Sequence, residues 1–290
     1  MILNQTAPSA TADKSSADGS HWYEHTPAGI WMPLYTPEKN YTLREARKDS
    51  AAGRVVCPSV TTIFKVINKP QLIGWMKEGV AKTAYHTSRE GKTEAEFVNE
   101  VVAIADNISR PAMDLGTAIH AAAELAIAGN GYDAAMHGYI VPLLLERAKL
   151  GIVSVSQEEC CGSALLGYAG RCDEYAEDMT VTDIKSRKSR DGKVPTYSTD
   201  MAQLAAYGYA KWGADFFEKG RGIIWGVSTS EAGVVTPHVF RGPALNNAWI
   251  AFLSMKTLWR YENSWGDFAK PAKPVKEKKQ KESSALEEAA

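Results

Sequence analysis

Hydrophobic positions along the chain follow two different periods, and the change between them divides the sequence into two parts. From about residue 55 to residue 150, apolar side chains recur every three to four positions, which predicts amphipathic helices. After that the period shortens to two, which predicts strands. Aromatic and Pro-rich sequence at about 21–41 adds short strands and turns at an edge of the body. The main strands are expected at about residues 152–160, 165–176, 179–186, 223–228 and 234–240.

Helix predictions follow from the apolar spacing together with capping residues. Ser59 is a candidate N-cap for a short helix, and Pro111 suits the first turn of a later one, where its missing N–H costs little. Longer helices are expected at about residues 70–85, 93–108, 111–127, 137–150, 198–214 and 243–262. This order predicts an α/β fold. We expect a central mixed β-sheet of about five strands flanked by helices, with an N-terminal helical wall.

Composition separates one folded body from two polar ends. The chain has 290 residues, of which 44% are hydrophobic, enough for one large core. Residues 1–20 lack periodicity and are expected to form a disordered arm. A single domain is expected over residues 21–265, with a helical part at about 55–150 and a sheet core at about 151–262. Residues 266–290 are predicted to be a disordered Lys- and Pro-rich tail, which either solubilises the chain or tethers it to a polyanion or a protein partner.

Charge and cysteine usage narrow the cellular setting. The net charge of −1 does not exclude a polyanionic partner, because lysines cluster near the C-terminal end. The four cysteines show no C-x-x-C spacing, and no charged leader with an apolar segment begins the chain. No apolar run approaches the roughly 20 residues that cross a bilayer. We therefore expect a reduced, soluble, cytoplasmic protein without a membrane partner.

Candidate chemistry is concentrated on a predicted β-hairpin. If its turn is centred on Asp178, Asp173 lies directly opposite Asp183, and Lys185 projects from the same face as Asp183. Facing side chains approach to roughly 5 Å, where two carboxylates repel each other unless a cation lies between them. Their oxygens, with the carbonyl of Ile184 and water, suit Mg²⁺ or Mn²⁺. Lys185 could orient or deprotonate an attacking water and neutralise charge.

Four short motifs together resemble a known nuclease family. In chain order they are Gly116-Thr117-x-x-His120, Gly170-x-x-Asp173, Asp183-Ile184-Lys185 and Gln203-x-x-x-Tyr207. Their order is similar to that of the PD-(D/E)XK nuclease superfamily, in its branch of RecB-like and phage-type exonucleases. The resemblance spans about residues 55–210, and the segment 58–63 is also similar to the N-terminal part of such exonucleases.

The resemblance assigns a role to each motif. It implies a restriction-endonuclease-like core in which Asp173, Asp183 and Lys185 are catalytic and one or two Mg²⁺ or Mn²⁺ ions are bound. His120 becomes a metal ligand beside Asp173, Asp183 and the Ile184 carbonyl. Gln203 and Tyr207 would line the DNA channel.

Neighbouring polar residues extend this expected site. Arg187 and Lys188 lie immediately beyond the catalytic strand, where cations can follow a DNA backbone. Glu124, four residues after the histidine, is a possible accessory carboxylate. Glu158 and Glu159 are two more, and only one of them can face inward on a regular strand.

The expected function is metal-dependent DNA exonuclease activity in recombination or repair. Two alternatives stay open: a structure-specific or restriction-type endonuclease with the same site, and a DNA-end-binding recombination protein with a vestigial site. No iron–sulfur cluster is expected, because no cysteine follows Cys172. No P-loop is present, so a single-strand annealing or recombination protein is a possible partner besides DNA. If the chain is phage-encoded, it would act in the host cytoplasm.

Overall fold

The computed structural model describes residues 21–34, 41–108 and 110–268. The predicted arm at 1–20 and nearly all of the predicted tail lie outside these residues. Within them the alternation of helices and strands follows the order that the hydrophobic period predicts. The α/β class is therefore confirmed.

The secondary structure has a helical first half and a strand-rich second half. The helices are α1 (Leu43–Ala51), α2 (Val60–Ile63), α3 (Pro70–His86), α4 (Glu94–Asn107), α5 (Arg110–Ile127), α6 (His137–Lys149), α7 (Ser198–Trp212), α8 (Asp215–Lys219) and α9 (Pro243–Glu262). The strands are β1 (Trp22–His25), β2 (Trp31–Pro33), β3 (Val55–Pro58), β4 (Ser154–Ser163), β5 (Tyr168–Ala176), β6 (Thr180–Arg187), β7 (Arg221–Ser228) and β8 (Val235–Arg241).

The central sheet has five strands in the order β4-β5-β6-β7-β8. The β6–β7 pair is parallel and the other three pairs are antiparallel, so the predicted mixed sheet is confirmed. The helix α7 lies on the crossover between the two parallel strands, as a parallel connection requires. β6, which carries Asp183 and Lys185, is therefore the middle strand of the sheet.

Helices cover both faces of this sheet. On one face α7 and α9 pack over Val181 and Ile224, and on the other face α5 and α6 pack over Ile184 and Trp225. A second sheet, in the order β2-β1-β3, covers an edge, and Ser59 next to it forms a bridge with Ala169 of β5. The body thus consists of three layers with a small sheet attached.

The N-terminal helices α3, α4 and α5 form a succession in which each packs against the next. Of these three helices, α5 alone packs closely against the central sheet in the described part of the chain, through β6. α4 begins with a capping box, in which Thr93 and Glu96 bond each other's backbone N–H groups. The helices farthest from the sheet keep much of their apolar surface exposed.

Three short elements were not predicted: α1, β3 and α8. α1 is polar and buries only Ala46 among its described residues, so it lacks an apolar stripe. Its N-terminus is marked instead by a capping box between Thr42 and Glu45. Within the described part of the chain, no helix combines the length and apolar character needed to cross a bilayer.

Candidate active site

The turn between β5 and β6 sets the register of the candidate site. Asp178 and Met179 have φ angles of 54° and 50°, and the N–H of Thr180 donates to the carbonyl of Glu177 at 3.1 Å. Two consecutive residues with positive φ form a tight turn, and because Ala176 pairs with Thr180 the loop between the strands has three residues. The pairs that follow, from Ala176 with Thr180 to Glu174 with Thr182, keep that register.

The hairpin opens one residue further on, where Asp173 and Asp183 would face each other. Backbone pairing stops after Glu174 and Thr182. There, Oδ2 of Asp173 accepts a hydrogen bond from the N–H of Ile184 at 2.8 Å. The carboxylate thus replaces a main-chain partner, and the ends of the two strands separate around a polar gap.

Asp183 is the most buried carboxylate of this gap, with only 1% of the residue exposed. The Lys185 ammonium lies 2.5 Å from its Oδ2, yet no donor in the described residues reaches that oxygen in good hydrogen-bond geometry. Burial, followed by the charge of Asp173, raises the pKa of Asp183 to about 7, against the opposing effect of Lys185. Asp183 therefore sits near its titration point at neutral pH.

Lys185 stays charged in these surroundings. Burial alone would lower the pKa of Lys185, but the charges of Asp183 and Asp173 outweigh it, so the pKa is raised. An ammonium beside two carboxylates also reduces their mutual repulsion.

His120 reaches the gap from α5. Its Nδ1 lies 3.6 Å from Oδ2 of Asp173. Burial lowers the pKa of His120, with the Asp173 charge acting in the opposite direction, so the imidazole is neutral at pH 7. One turn earlier, a Cβ on Gly116 would stand 3.5 Å from the Cβ of Ser186, so α5 approaches β6 closely. The first motif thus places its histidine on the hairpin.

Gln203 and Tyr207 lie beneath the hairpin, with 7% and 3% of each residue exposed. Gln203 Nε2 donates to the Tyr207 hydroxyl at 3.1 Å. The Tyr207 ring fills the space next to Gly170, where a Cβ would stand 2.6 Å from ring atom Cε1. The second and fourth motifs therefore contact each other directly. A DNA-contacting role for the pair stays a prediction.

Arg187 and Lys188, at and just after the end of β6, differ in their surroundings. Arg187 donates to both oxygens of Asp200, at 2.6 and 2.8 Å, and stacks on the Tyr197 ring. Lys188 is exposed and has no ion pair in the described part of the chain. Asp200 was not predicted as part of this region. Its signal was its place in the first turn of a helix, where it also accepts from the N–H of Tyr197.

The structure places the two accessory carboxylates Glu158 and Glu159 in different surroundings. Glu158 has a φ of 51° and lines a small recess with His120, Glu124 and Asp173. Glu159 instead accepts from the Ser156 hydroxyl and pairs with Lys211. Glu158 is therefore the one on the side of the site.

A buried ion pair that was not predicted holds the hairpin just before it opens. Arg147 of α6 donates to both carboxylate oxygens of Glu174. The Thr182 hydroxyl donates to the same carboxylate at 2.7 Å. These contacts tie β5, β6 and α6 together one residue away from Asp173 and Asp183.

The space around the site has two compartments of opposite character. The recess is lined by Glu124, Glu158, Asp173 and Glu174; Glu158 is paired with Arg171 and Glu174 with Arg147. The larger cleft, of about 920 Å³, contains Lys185, Arg187 and Lys188, and none of the described residues that line it is acidic. His120 and Ile184 line both compartments. The candidate site thus lies at the boundary between an acidic and a cationic space.

Asp173 and Asp183 can provide some, but not all, of the ligands of a cation that prefers oxygen. Over residues 21–34, 41–108 and 110–268, no three His, Cys, Asp or Glu side chains are grouped as a complete cation cage. Two neighbouring carboxylates are present, and the buried Oδ2 of Asp183 lacks an aligned donor. Mg²⁺ is typically bound by one or two carboxylates together with water and substrate phosphate. The residues therefore fit such an ion, and a Zn²⁺ site closed by protein ligands is not what they form.

No protein-family model matches the chain, and no curated protein matches it. The function must therefore be argued from the site itself.

Proposed function

We propose that this chain is a metal-dependent deoxyribonuclease of the PD-(D/E)XK type that hydrolyses phosphodiester bonds from DNA ends. The observation that supports it best is the contact of Lys185 with buried Asp183, at 2.5 Å, at the point where the hairpin opens around Asp173. His120 approaches the same gap from a helix distant in sequence.

Phosphodiester hydrolysis needs an oriented water nucleophile and neutralisation of charge as it develops on the phosphate. Lys185 supplies a fixed positive charge. Because Asp183 and Asp173 raise its pKa, its proton is held firmly, which favours electrostatic stabilisation and water orientation over proton abstraction. The low exposure of Asp183 strengthens these interactions, since screening by water is reduced.

Asp173 and Asp183 would hold the cation. The Ile184 carbonyl and His120 would join them only after a rearrangement, because the three side chains are not grouped as a cage in the described residues. A bound Mg²⁺ or Mn²⁺ supplies Lewis-acid polarisation of the phosphate and a water of lowered pKa. Neutral His120 keeps a ring nitrogen free to bind or accept a proton, because burial lowers its pKa. The cleft beside these residues is lined by Lys185, Arg187 and Lys188, whose positive charges favour binding of the DNA phosphates next to the gap.

The direct test is digestion of end-labelled linear DNA, single- and double-stranded, with Mg²⁺ or Mn²⁺. Asp183→Ala and Lys185→Ala should each lower the rate about 100-fold or more, because each removes a charge acting at the reacting phosphate. Asp215→Ala and Lys219→Ala are matched controls, since these two residues form an exposed ion pair on α8. Cleavage that persists equally in all four variants, or no cleavage at all, would sink the proposal.

A covalently closed circle separates the modes of attack. An exonuclease leaves the circle intact and degrades the linear form, whereas an endonuclease cuts both. A vestigial site would show DNA-end binding without hydrolysis by either metal.

A further inference from the structure

The cleft beside the candidate site has an apolar wall facing its cationic one. Trp75 of α3, Ile108 at the end of α4 and Met113 of α5 line it on the helical side. These side chains are 49%, 48% and 66% exposed. Lys185, in contact with Asp183, lines the opposite wall, so the cleft is continuous with the candidate site.

Trp75 is placed unusually for a tryptophan of a folded body. It lies on α3, which packs against α4 and has no close packing with the central sheet among the described elements. Each of the other tryptophans contacts an aromatic ring or an arginine, whereas the Trp75 ring makes no such contact within the described residues. The side chain is half exposed and lines the cleft.

The charges of the cleft limit what can occupy it. Lys188 has no ion pair in the described part of the chain, and no carboxylate among the described residues lines the cleft. The matching ligand carries negative charge on one side and flat apolar surface on the other. Single-stranded nucleic acid has this combination, because its phosphates lie on one side and its unpaired bases are free to stack on aromatic rings. Duplex DNA presents phosphates, but its base faces are already stacked.

We propose that this cleft binds single-stranded DNA, with a base stacked on Trp75 and the backbone next to Lys188, so that the site receives an unpaired strand. The inference rests on the proposed function, because it names the substrate class of the same site. Lys188 contributes affinity, and Trp75 contributes the discrimination between unpaired and paired strands.

The test measures binding without catalysis. Dissociation constants are determined by fluorescence anisotropy in EDTA at fixed salt for three labelled DNAs of equal length. These are oligodeoxythymidine, the same backbone with abasic sites, and a blunt duplex. The wild type should bind oligodeoxythymidine about tenfold more tightly than the abasic strand, as expected for loss of base–aromatic stacking.

Substitutions identify the residue responsible. Trp75→Ala should weaken binding of oligodeoxythymidine about tenfold and leave the abasic strand unchanged, whereas Trp75→Phe should retain most of the affinity. Tyr85→Ala is the matched control, because Tyr85 is an 85% exposed aromatic residue of the same helix that does not line the cleft. It should change neither affinity. Melting curves confirm that each variant is folded, and the comparison of strands in the wild type needs no variant.

Three results would overturn the inference. One is equal binding of normal and abasic strands, and a second is tighter binding of the duplex. The third is concentration-dependent self-association that Trp75→Ala abolishes, which would show a second copy of the chain on this wall. Any of these can occur while the nuclease assay succeeds. Conversely, base-dependent binding without hydrolysis would contradict the proposed function and leave the binding inference standing.

Discussion

The side chain of Gly170 is a single hydrogen atom, which allows Tyr207 to pack beneath the hairpin of the candidate site. A methyl group there would stand 2.6 Å from the ring and 2.8 Å from its hydroxyl oxygen. The glycine of this motif therefore serves packing, and its effect on the site is indirect.

We predict that Gly170→Ala lowers the free energy of unfolding by about 1–3 kcal/mol, because the buried ring must shift. Gly116→Ala is the control, since its methyl group would find ordinary contact 3.5 Å from Ser186 and alanine favours the helix. Urea unfolding of the two variants makes the comparison. If both variants have the same unfolding free energy, the Tyr207 ring can shift without loss of stability, which would contradict the prediction.

The buried carboxyl of Asp183 should make stability depend on pH. Because its pKa is raised from 3.8 to about 7, the folded chain holds this proton over a pH range in which the unfolded chain has released it. Stability from this group is therefore full below about pH 4 and is lost as pH rises toward 7. Asp183→Asn removes the titration.

The corresponding measurement is the unfolding free energy of wild type and Asp183→Asn, without divalent cations, at pH 5 and pH 7. The wild type should lose about 1–3 kcal/mol relative to the variant over this interval. Parallel pH profiles would mean that the carboxyl is ionised throughout.

The helix α6 fixes the pairing of the two strands that carry the aspartates. Arg147 has 5% of its surface exposed and Glu174 has 2%, so the ion pair between them is screened little by water. The Thr182 hydroxyl completes it from the neighbouring strand.

Arg147→Met should cost about 3–5 kcal/mol of folding stability, because it leaves the Glu174 charge buried without a partner. The double variant Arg147→Met with Glu174→Met should be more stable than the arginine variant alone, since both charges are then absent. A double-mutant cycle by denaturant unfolding measures this coupling. Additive losses would indicate that the two residues act independently.

Sequence patterns were informative where partners are close along the chain. The five central strands and the long helices follow from apolar periodicity, and a turn at Asp178 suffices to place Asp173 opposite Asp183. The helix α1 was not predicted because it buries few apolar residues. The helix α8 was not predicted because five residues are too few to show a hydrophobic period.

Other features could not be predicted because they depend on the folded backbone. Alternation predicts that only one of Glu158 and Glu159 faces the site, but the choice between them depends on how β4 pairs with β5. The pairing of Arg147 with Glu174 joins a helix to a strand, and nothing in either local sequence marks the other. The role of Asp200 likewise depends on its contact with Arg187, which only the folded chain brings close to it.

Contacts between tryptophans join β1, near the start of the described residues, to α9 and the residues just after it. The ring of Trp22 in β1 lies 5.8 Å from Trp259 of α9 and 5.0 Å from Trp265, measured between ring centres. β1 in turn pairs with β3, next to the bridge between Ser59 and β5. The helix α9 thus supports the small sheet and, through the bridge from Ser59, the strand β5 of the central sheet.

Trp259→Ala should cost about 3–5 kcal/mol, as expected for truncating a buried aromatic side chain, and should increase hydrogen exchange of the β1 and β3 amides. Leu258→Ala is the control, because this neighbouring side chain is 46% exposed. Unchanged exchange in β1 and β3 would show that the small sheet is held independently of α9.

The opened hairpin also has a consequence for the order of assembly. Asp173 and Asp183 meet by closing a turn of three residues, whereas His120 must be brought in across α6 and β4. Short loops close faster and at lower entropic cost than long ones. We expect pulsed hydrogen exchange to protect the β5–β6 turn before α5. The two carboxylates would then be paired in a folding chain before the histidine arrives, so the two parts of the candidate site would form at different times.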